Sequence, residues 1–274
     1  MTWWSVEVDL SGADPSAVAT RLVVETGHAV EERPARVVGF AADRGAAARA
    51  GAAITAAFGP SVTVRHAEVA EVDWSLKWRE GLRVHRIGRL AIGPSWLLEP
   101  GPLAVVIDPE TAFGSGEHGS TRGALRLLDR WLAPGALVLD LGSGSGVLAI
   151  AAAKLGARAV LGIELDDDAV PVAEDNARRN GVADRVRFLT GDARVLAGLA
   201  GPADLIVANI LRVVNETLVD PIRGALAPGG VAVFAGMEED DAPGFRGLVE
   251  ARGFRVVLEN LDEGWWSAAA VVSS

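Results

Sequence analysis

Asp140, Gly142, Gly144 and Gly146 occupy alternate positions in V-L-D-L-G-S-G-S-G-V-L (residues 138–148), and Glu164 follows Gly142 by twenty-two residues. Glycines at that spacing make a turn free of side chains, so the backbone and the free N–H groups of a following helix can close on a ligand. A carboxylate about twenty residues further on can accept both hydroxyls of a ribose. Together these residues describe a nucleotide-binding turn. Gly144-x-Gly146-x-x-Ala149 also fits the dinucleotide fingerprint, and an acid at 164 serves either kind of ligand. Downstream residues must decide between them. Asn209 closes the run A-D-L-I-V-A-N, Asp192 closes a strand-like run at G-D-A, and Thr121 follows a glycine-rich stretch containing Glu117 and His118.

Such groups need strands that end, and helices that begin, beside them. Val138, Leu139 and Leu141 form the short apolar run of a buried parallel strand, and residues 147–155 (V-L-A-I-A-A-A-K-L) are strong helix formers. Strands are expected at 160–164, 186–190, 203–209 and 230–235. Helices are expected at 167–180, 213–226 and 240–252, stopped by Gly181 in the first case and Gly253 in the last. Residues 254–262 and 265–272 form a terminal antiparallel hairpin. Upstream, a strand from 105 ends at Asp108-Pro109, and a glycine-rich loop leads to a helix over 121–131 capped by Ser120 or Thr121. Ligands in open α/β sheets bind beyond the carboxyl ends of the strands, where Asp140, Glu164 and Asn209 fall.

The first 70 residues form a separate small unit. Strands at 2–10, 28–31, 36–40 and 61–69 and helices at 16–25 and 45–58 give a βαββαβ order, the split-βαβ or ferredoxin-like pattern. No residue set there has catalytic character; substrate recognition and a purely structural role are its two readings. Residues 71–96 are a connection in which Lys77, Arg79, Arg83, Arg86 and Arg89 crowd into thirteen positions, opposed only by Glu80. Trp74 and Trp78 share one helical face. The bland reading is a solvated basic face with an aromatic stripe; the other is contact with RNA or substrate. A hairpin is expected at 85–92, joined at Gly88.

Composition narrows the chemistry. The chain of 274 residues has no cysteine and no tyrosine, so thiol nucleophiles, thiolate zinc sites and phenolic acid–base groups are excluded. Four histidines without ligand spacing leave Glu117 and His118 as a candidate general base, or as part of a loop over the pocket, rather than as metal ligands. A net charge of −10 argues against a protein that reads DNA sequence and is compatible with a basic protein partner. No apolar run approaches twenty residues and the N-terminus lacks a basic region. No signal peptide or membrane span is expected, and the expected location is cytoplasmic.

D-x-G-x-G-x-G at 140–146 resembles motif I of the class I S-adenosylmethionine (SAM) methyltransferases, and the terminal hairpin resembles the reversed last strand of their sheet. More of the chain resembles one family. D-P-E-T-A-F-G-S-G-E-H-G-S-T-R (108–122), L-D-L-G-S-G-S-G-V-L-A-I-A-A-A-K-L-G-A (139–157), V-A-N-I-L (207–211) and D-W-S-L-K-W-R (73–79) are together similar to the PrmA family. Its members methylate ribosomal protein eleven, the stalk-base protein of the large subunit. The loop A-F-G-[ST]-G-x-H-x-[ST]-T is the specific part.

The resemblance implies an α/β fold. A seven-stranded class I SAM-methyltransferase (Rossmann-like) domain, 97–274, would follow a small α+β ferredoxin-like substrate-recognition domain, 1–70, and the linker 71–96. It implies SAM as cofactor, no metal, and no direct DNA or membrane contact, with the chain a monomer. The cofactor contacts it carries over are Thr121, Asp140, Gly142, Gly144, Gly146, Glu164 and Asn209, with Phe113 and Gly114 from the loop. Asp192 falls where such enzymes hold the adenine amino group, and equally where a helix N-cap belongs. Asn209 would position the acceptor amine, a lysine side chain or the N-terminal amine. The alternatives are a PrmA-like lysine methyltransferase with a different protein substrate, or a SAM-binding ribosome-associated module without turnover. Two positions depart from the family: glutamate at 164 where aspartate is common, and I-L-R-V-V-N-E-T-L after Asn209, without the proline of N-I-L-A-x-P-L.

Overall fold

Residues 3–28, 30–33, 35–69, 82–108 and 116–273 are described by a computed structural model, Glu32 by its backbone alone. The chain divides into two units, Met1–Gly81 and Leu82–Ser274. The Trp74/Trp78 helical face and the loop residues Phe113 and Gly114 lie outside the described residues.

In the first unit, strand β1 (Trp4–Leu10) leads to helix α1 (Pro15–Thr26), then β2 (Glu31–Arg33), β3 (Arg36–Ala41), α2 (Arg44–Phe58) and β4 (Val62–Glu68). The order in space is β2-β3-β1-β4, and every pairing is antiparallel. Both helices start on an aspartate: Asp14 accepts from Ser16 N–H and Asp43 from Ala46 N–H. Their apolar faces bury Val18, Leu22 and Ile54 against Val6, Val8 and Val37. The expected strand at 28–31 is displaced to β2 because pairing across the turn sets Glu31 opposite Val38 and Arg33 opposite Arg36.

The second unit begins with a three-stranded sheet, β5 (His85–Ile87), β6 (Leu90–Gly93) and β7 (Ala104–Val106), antiparallel then parallel. Ile87, Leu90, Ile92 and Val105 join its main core, so the 85–92 hairpin packs as part of this unit. Helix α3 (Gly119–Trp131) follows. Then β8 (Leu137–Leu141), α4 (Val147–Lys154), β9 (Ala159–Glu164), α5 (Ala169–Arg179) and β10 (Val186–Thr190) alternate. Next come α6 (Ala193–Ala200), β11 (Ala203–Asn209), α7 (Arg212–Ala225), β12 (Leu226–Glu238), α8 (Ala242–Ala251), β13 (Phe254–Asp262) and β14 (Trp265–Val272). The sheet order is β10-β9-β8-β11-β12-β14-β13, with β14 alone antiparallel to its neighbours. Helix α6 has no expected range and is anticipated only by the N-cap reading of Asp192.

Side-chain alternation along the central strands places the site. Val138, Leu205 and Val207 enter the core beneath α3, α4 and α5, whereas Leu139, Leu141, Ile206 and Ala208 enter the core beneath α6, α7 and α8. By the same period Asp140 and Asn209 point to the α3–α4 face. Parallel pairing puts Val207 opposite Asp140, so the two polar side chains end neighbouring strands on one side of the sheet.

Candidate active site

The glycine turn between β8 and α4 is built on three left-handed residues: Gly142 (φ 72), Gly144 (φ 50) and Gly146 (φ 79). A side chain at any of them is strained. Space adds a second reason, because a Cβ on Gly142 would lie 2.9 Å from Ile210 Cδ1 and one on Gly146 2.7 Å from the Phe188 ring. Gly144 has a further use: its N–H donates to Glu164 Oε2 at 2.8 Å. Glu164 Oε1 accepts from Leu165 N–H (2.8 Å) and Asp166 N–H (3.1 Å), so three backbone donors fix the direction of this carboxylate.

Asp140 is fully buried. Its Oδ2 accepts from Ala149 N–H at 3.0 Å, which ties the strand end to the first turn of α4. Burial pushes its carboxyl up to about 7, against the pull of that N–H, and the nearby Glu164 raises it further. Its Oδ1 has no partner among the described residues.

A cavity of about 480 Å³ opens at the carboxyl ends of β8, β9 and β11. Gly142, Glu164, Leu165, Gly191, Asp192, Ile210, Val213 and Val214 line it, a mostly apolar wall with few polar groups, as small-molecule sites have. Asp192 meets its N-cap reading. It is the N-cap of α6, accepting from Arg194 N–H at 2.9 Å, and it also lines the cavity. The Arg194 guanidinium on its two oxygens holds its carboxyl below the usual range.

Asn209 Nδ2 donates to Thr121 Oγ1 at 3.1 Å, and its Oδ1 is buried without a partner among the described residues. Thr121 is fully buried in the first turn of α3. The helix starts at Gly119 with His118 at its N-cap and no side-chain cap, which corrects the expected capping by Ser120 or Thr121. Instead Ser120 Oγ is 2.7 Å from His118 Nδ1, and Thr121 is left to meet Asn209. A Cβ on Gly119 would collide with Asp262 O at 2.5 Å, and this close approach seats the helix start on the β13–β14 hairpin. Arg122 adds a fork to Asp262, at 3.0 and 2.7 Å, and pairs with Glu263 at 2.7 Å. Glu117 turns away, its Oε2 lying 2.8 Å from His85 Nε2 on β5. His118 packs on Trp265, and its desolvation, with Arg122 beside it, lowers its pKa. His118 is thus a weakened base and Glu117 a carboxylate already engaged.

The chain also holds a residue that the sequence reading missed. Asn215, fully buried on α7, donates Nδ2 to Ile210 O (2.8 Å) and Ala235 O (2.9 Å). Its signal was an asparagine in register with Leu218, Val219 and Ile222 on the buried face of a helix.

A cofactor with a ribose, a planar base and an amino-acid tail fits this cradle: fixed carboxylate, apolar slot and open glycine turn. Sheet order, the antiparallel β14 and the site at the strand ends define a class I SAM-dependent methyltransferase. A family model described as Ribosomal protein L11 methyltransferase (PrmA) matches residues 16–272. The chain belongs to that family. The Ribosomal protein L11 methyltransferase of Pelotomaculum thermopropionicum is 43% identical over 216 residues, 77% of this chain and 69% of that protein. Its counterpart in Thermus thermophilus is 44% identical over 200 residues, 73% and 77% of the two chains. The crystal structure of ribosomal protein L11 methylase from Lactobacillus delbrueckii subsp. bulgaricus matches with a TM-score of 0.63 and 31% identity, covering 70% of this chain and all of that one.

Proposed function

We propose that this chain methylates amines of ribosomal protein L11, lysine side chains or the N-terminal amine, with Asn209 orienting the acceptor. The observation that carries the reading is the buried Oδ1 of Asn209 at the end of β11, without a partner among the described residues. Bound SAM supplies an electrophilic sulfonium methyl, so the chain's own task is alignment and exclusion of water. Glu164, held by three backbone N–H groups, takes the ribose hydroxyls, and the apolar wall of Leu165, Val213 and Val214 flanks the base. Thr121 Oγ1 holds the amide of Asn209, which leaves Oδ1 to accept an amine N–H and direct the nitrogen lone pair.

The acceptor must arrive neutral. A lysine with a pKa of about 10.4 costs roughly 4 kcal/mol to deprotonate near neutral pH, and an α-amine with a pKa near 7.8 about half a kcal/mol. Oδ1 accepts from either, and the released proton leaves to water at the open mouth. The first unit supplies recognition of the protein substrate in this reading, since no catalytic residue set falls in it. Among the described residues no helix is long and apolar enough to cross a membrane, and no cluster of His, Asp and Glu could hold a metal ion.

Incubating the protein with purified large-subunit proteins and labelled SAM, then mapping masses, tests the reading. Label in L11 is the expected result. Label in another protein moves the substrate, and SAM binding without transfer to any protein makes the chain a binding module.

A further inference from the structure

The turn that follows Asn209 is clamped from behind by a side chain outside the cavity. β11 ends at Asn209 opposite Ala235 of β12, and the next residue, Ile210, returns its N–H to Ala235 O at 3.1 Å. Gly236, at φ 87, lets β12 press on that turn, where a Cβ would come within 2.4 Å of Ile210 O. Asn215 closes the arrangement from α7. Its Nδ2 bonds Ile210 O at 2.8 Å and Ala235 O at 2.9 Å, so one amide group joins the first residue after Asn209 to the strand beside it. Asn215 is wholly buried, and its Oδ1 has no partner among the described residues. A buried half-satisfied amide is costly where an apolar residue would pack. A role in stability alone explains it poorly.

We infer that Asn215 is a positioning residue for methyl transfer: by holding Ile210 C=O against β12 it fixes the direction in which Asn209 presents Oδ1. Asn215 is not among the residues lining the cofactor cavity. Its loss reaches the cavity only through the Ile210 turn and costs alignment, to which transfer is sensitive at the scale of an ångström. Asn215 also completes the turn within residues 210–218, one of the two places where the sequence departs from the family pattern. The inference rests on the proposed amine transfer for its kinetic arm only.

The test compares wild type, Asn215→Leu and Asn215→Ser as full-length protein. Leucine removes both donors at similar volume, and serine keeps one. For Asn215→Leu, SAM affinity by calorimetry stays within about threefold and KM for L11 is unchanged, while kcat falls roughly tenfold; Asn215→Ser lies between. Independently of any activity, hydrogen exchange at the Ile210 amide speeds up in Asn215→Leu while that of Ala208 on β11 does not. An unchanged kcat in the leucine variant overturns the role, as does unchanged Ile210 exchange. Should Asn215→Leu not fold, Asn215→Ser carries the same two readouts. A wild type that binds SAM without methylating L11 counts against the proposed substrate, and the exchange arm then decides on Asn215 alone.

Discussion

Asn209 has a donor end and an acceptor end, and among the described residues only the first has a partner. With Nδ2 on Thr121, Asn209→Ala removes the acceptor that the proposed reaction assigns to the aligned amine. Turnover should then fall about ten- to a hundredfold, some 1.5–3 kcal/mol, with SAM affinity little changed. Asn209→Asp keeps an acceptor and should retain more activity than alanine, with its pH profile moved to the alkaline side because the added charge favours the ammonium form. Steady-state kinetics beside calorimetry separates these outcomes. Asp140 makes a different prediction. Its carboxyl titrates near 7 when folded and near 3.9 when unfolded. Between those values the native state keeps a proton that the unfolded chain has released, so this group lowers stability as pH rises from about 4 to about 7 and is level above. Asp140→Asn without ligand should therefore gain relative to wild type across that window, by a few kcal/mol at most. Urea unfolding at pH 5 and pH 8 reads the difference.

At the scale of elements, α3 brings Thr121 to Asn209, and its start is held by the β13–β14 hairpin. The Arg122 guanidinium, with Arg126, holds the Asp262 carboxyl down at about 2. A depressed carboxyl stabilises the native state above its unfolded pKa near 4, and that contribution is lost as pH falls towards 2. Asp262→Asn should lower the unfolding midpoint at pH 6, and the gap to wild type should close between pH 4 and pH 2. Because the same tie seats the N-terminus of α3, turnover at pH 8 should drop as well. A loss of stability with full turnover would detach the hairpin from the site.

For the whole molecule, the question is what the first unit adds. It has its own core of Val6, Val8, Val18, Leu22, Val37 and Ile54, and the described residues that line the cofactor cavity belong to the second unit. A protein beginning at Leu82 should bind SAM with wild-type affinity. Its kcat/KM on intact L11 should fall at least a hundredfold if the first unit recognises the substrate. Undiminished transfer would make residues 1–81 structural only.

The sequence by itself determined the parts whose physics is local. Left-handed glycines at 142, 144 and 146, an apolar strand before them and a breaker-free helix after them make the turn readable from its own segment. Alternation and turn residues likewise specified the βαββαβ unit and the terminal hairpin. Glu164 and Asn209 were legible because each ends a strand. Other features depended on contacts between one element and another. β2 slid along the chain because pairing with β3, not its own composition, set its register. The start of α3 moved to Gly119 because Asp262 and Arg122 seat it there. Thr121 finds Asn209 across eighty-eight residues, and Asn215 reaches back from α7 to Ile210 and across to Ala235 on β12. Hydrogen bonds of that kind leave no period in a sequence. Only the packed sheet brings their donors and acceptors within hydrogen-bonding distance.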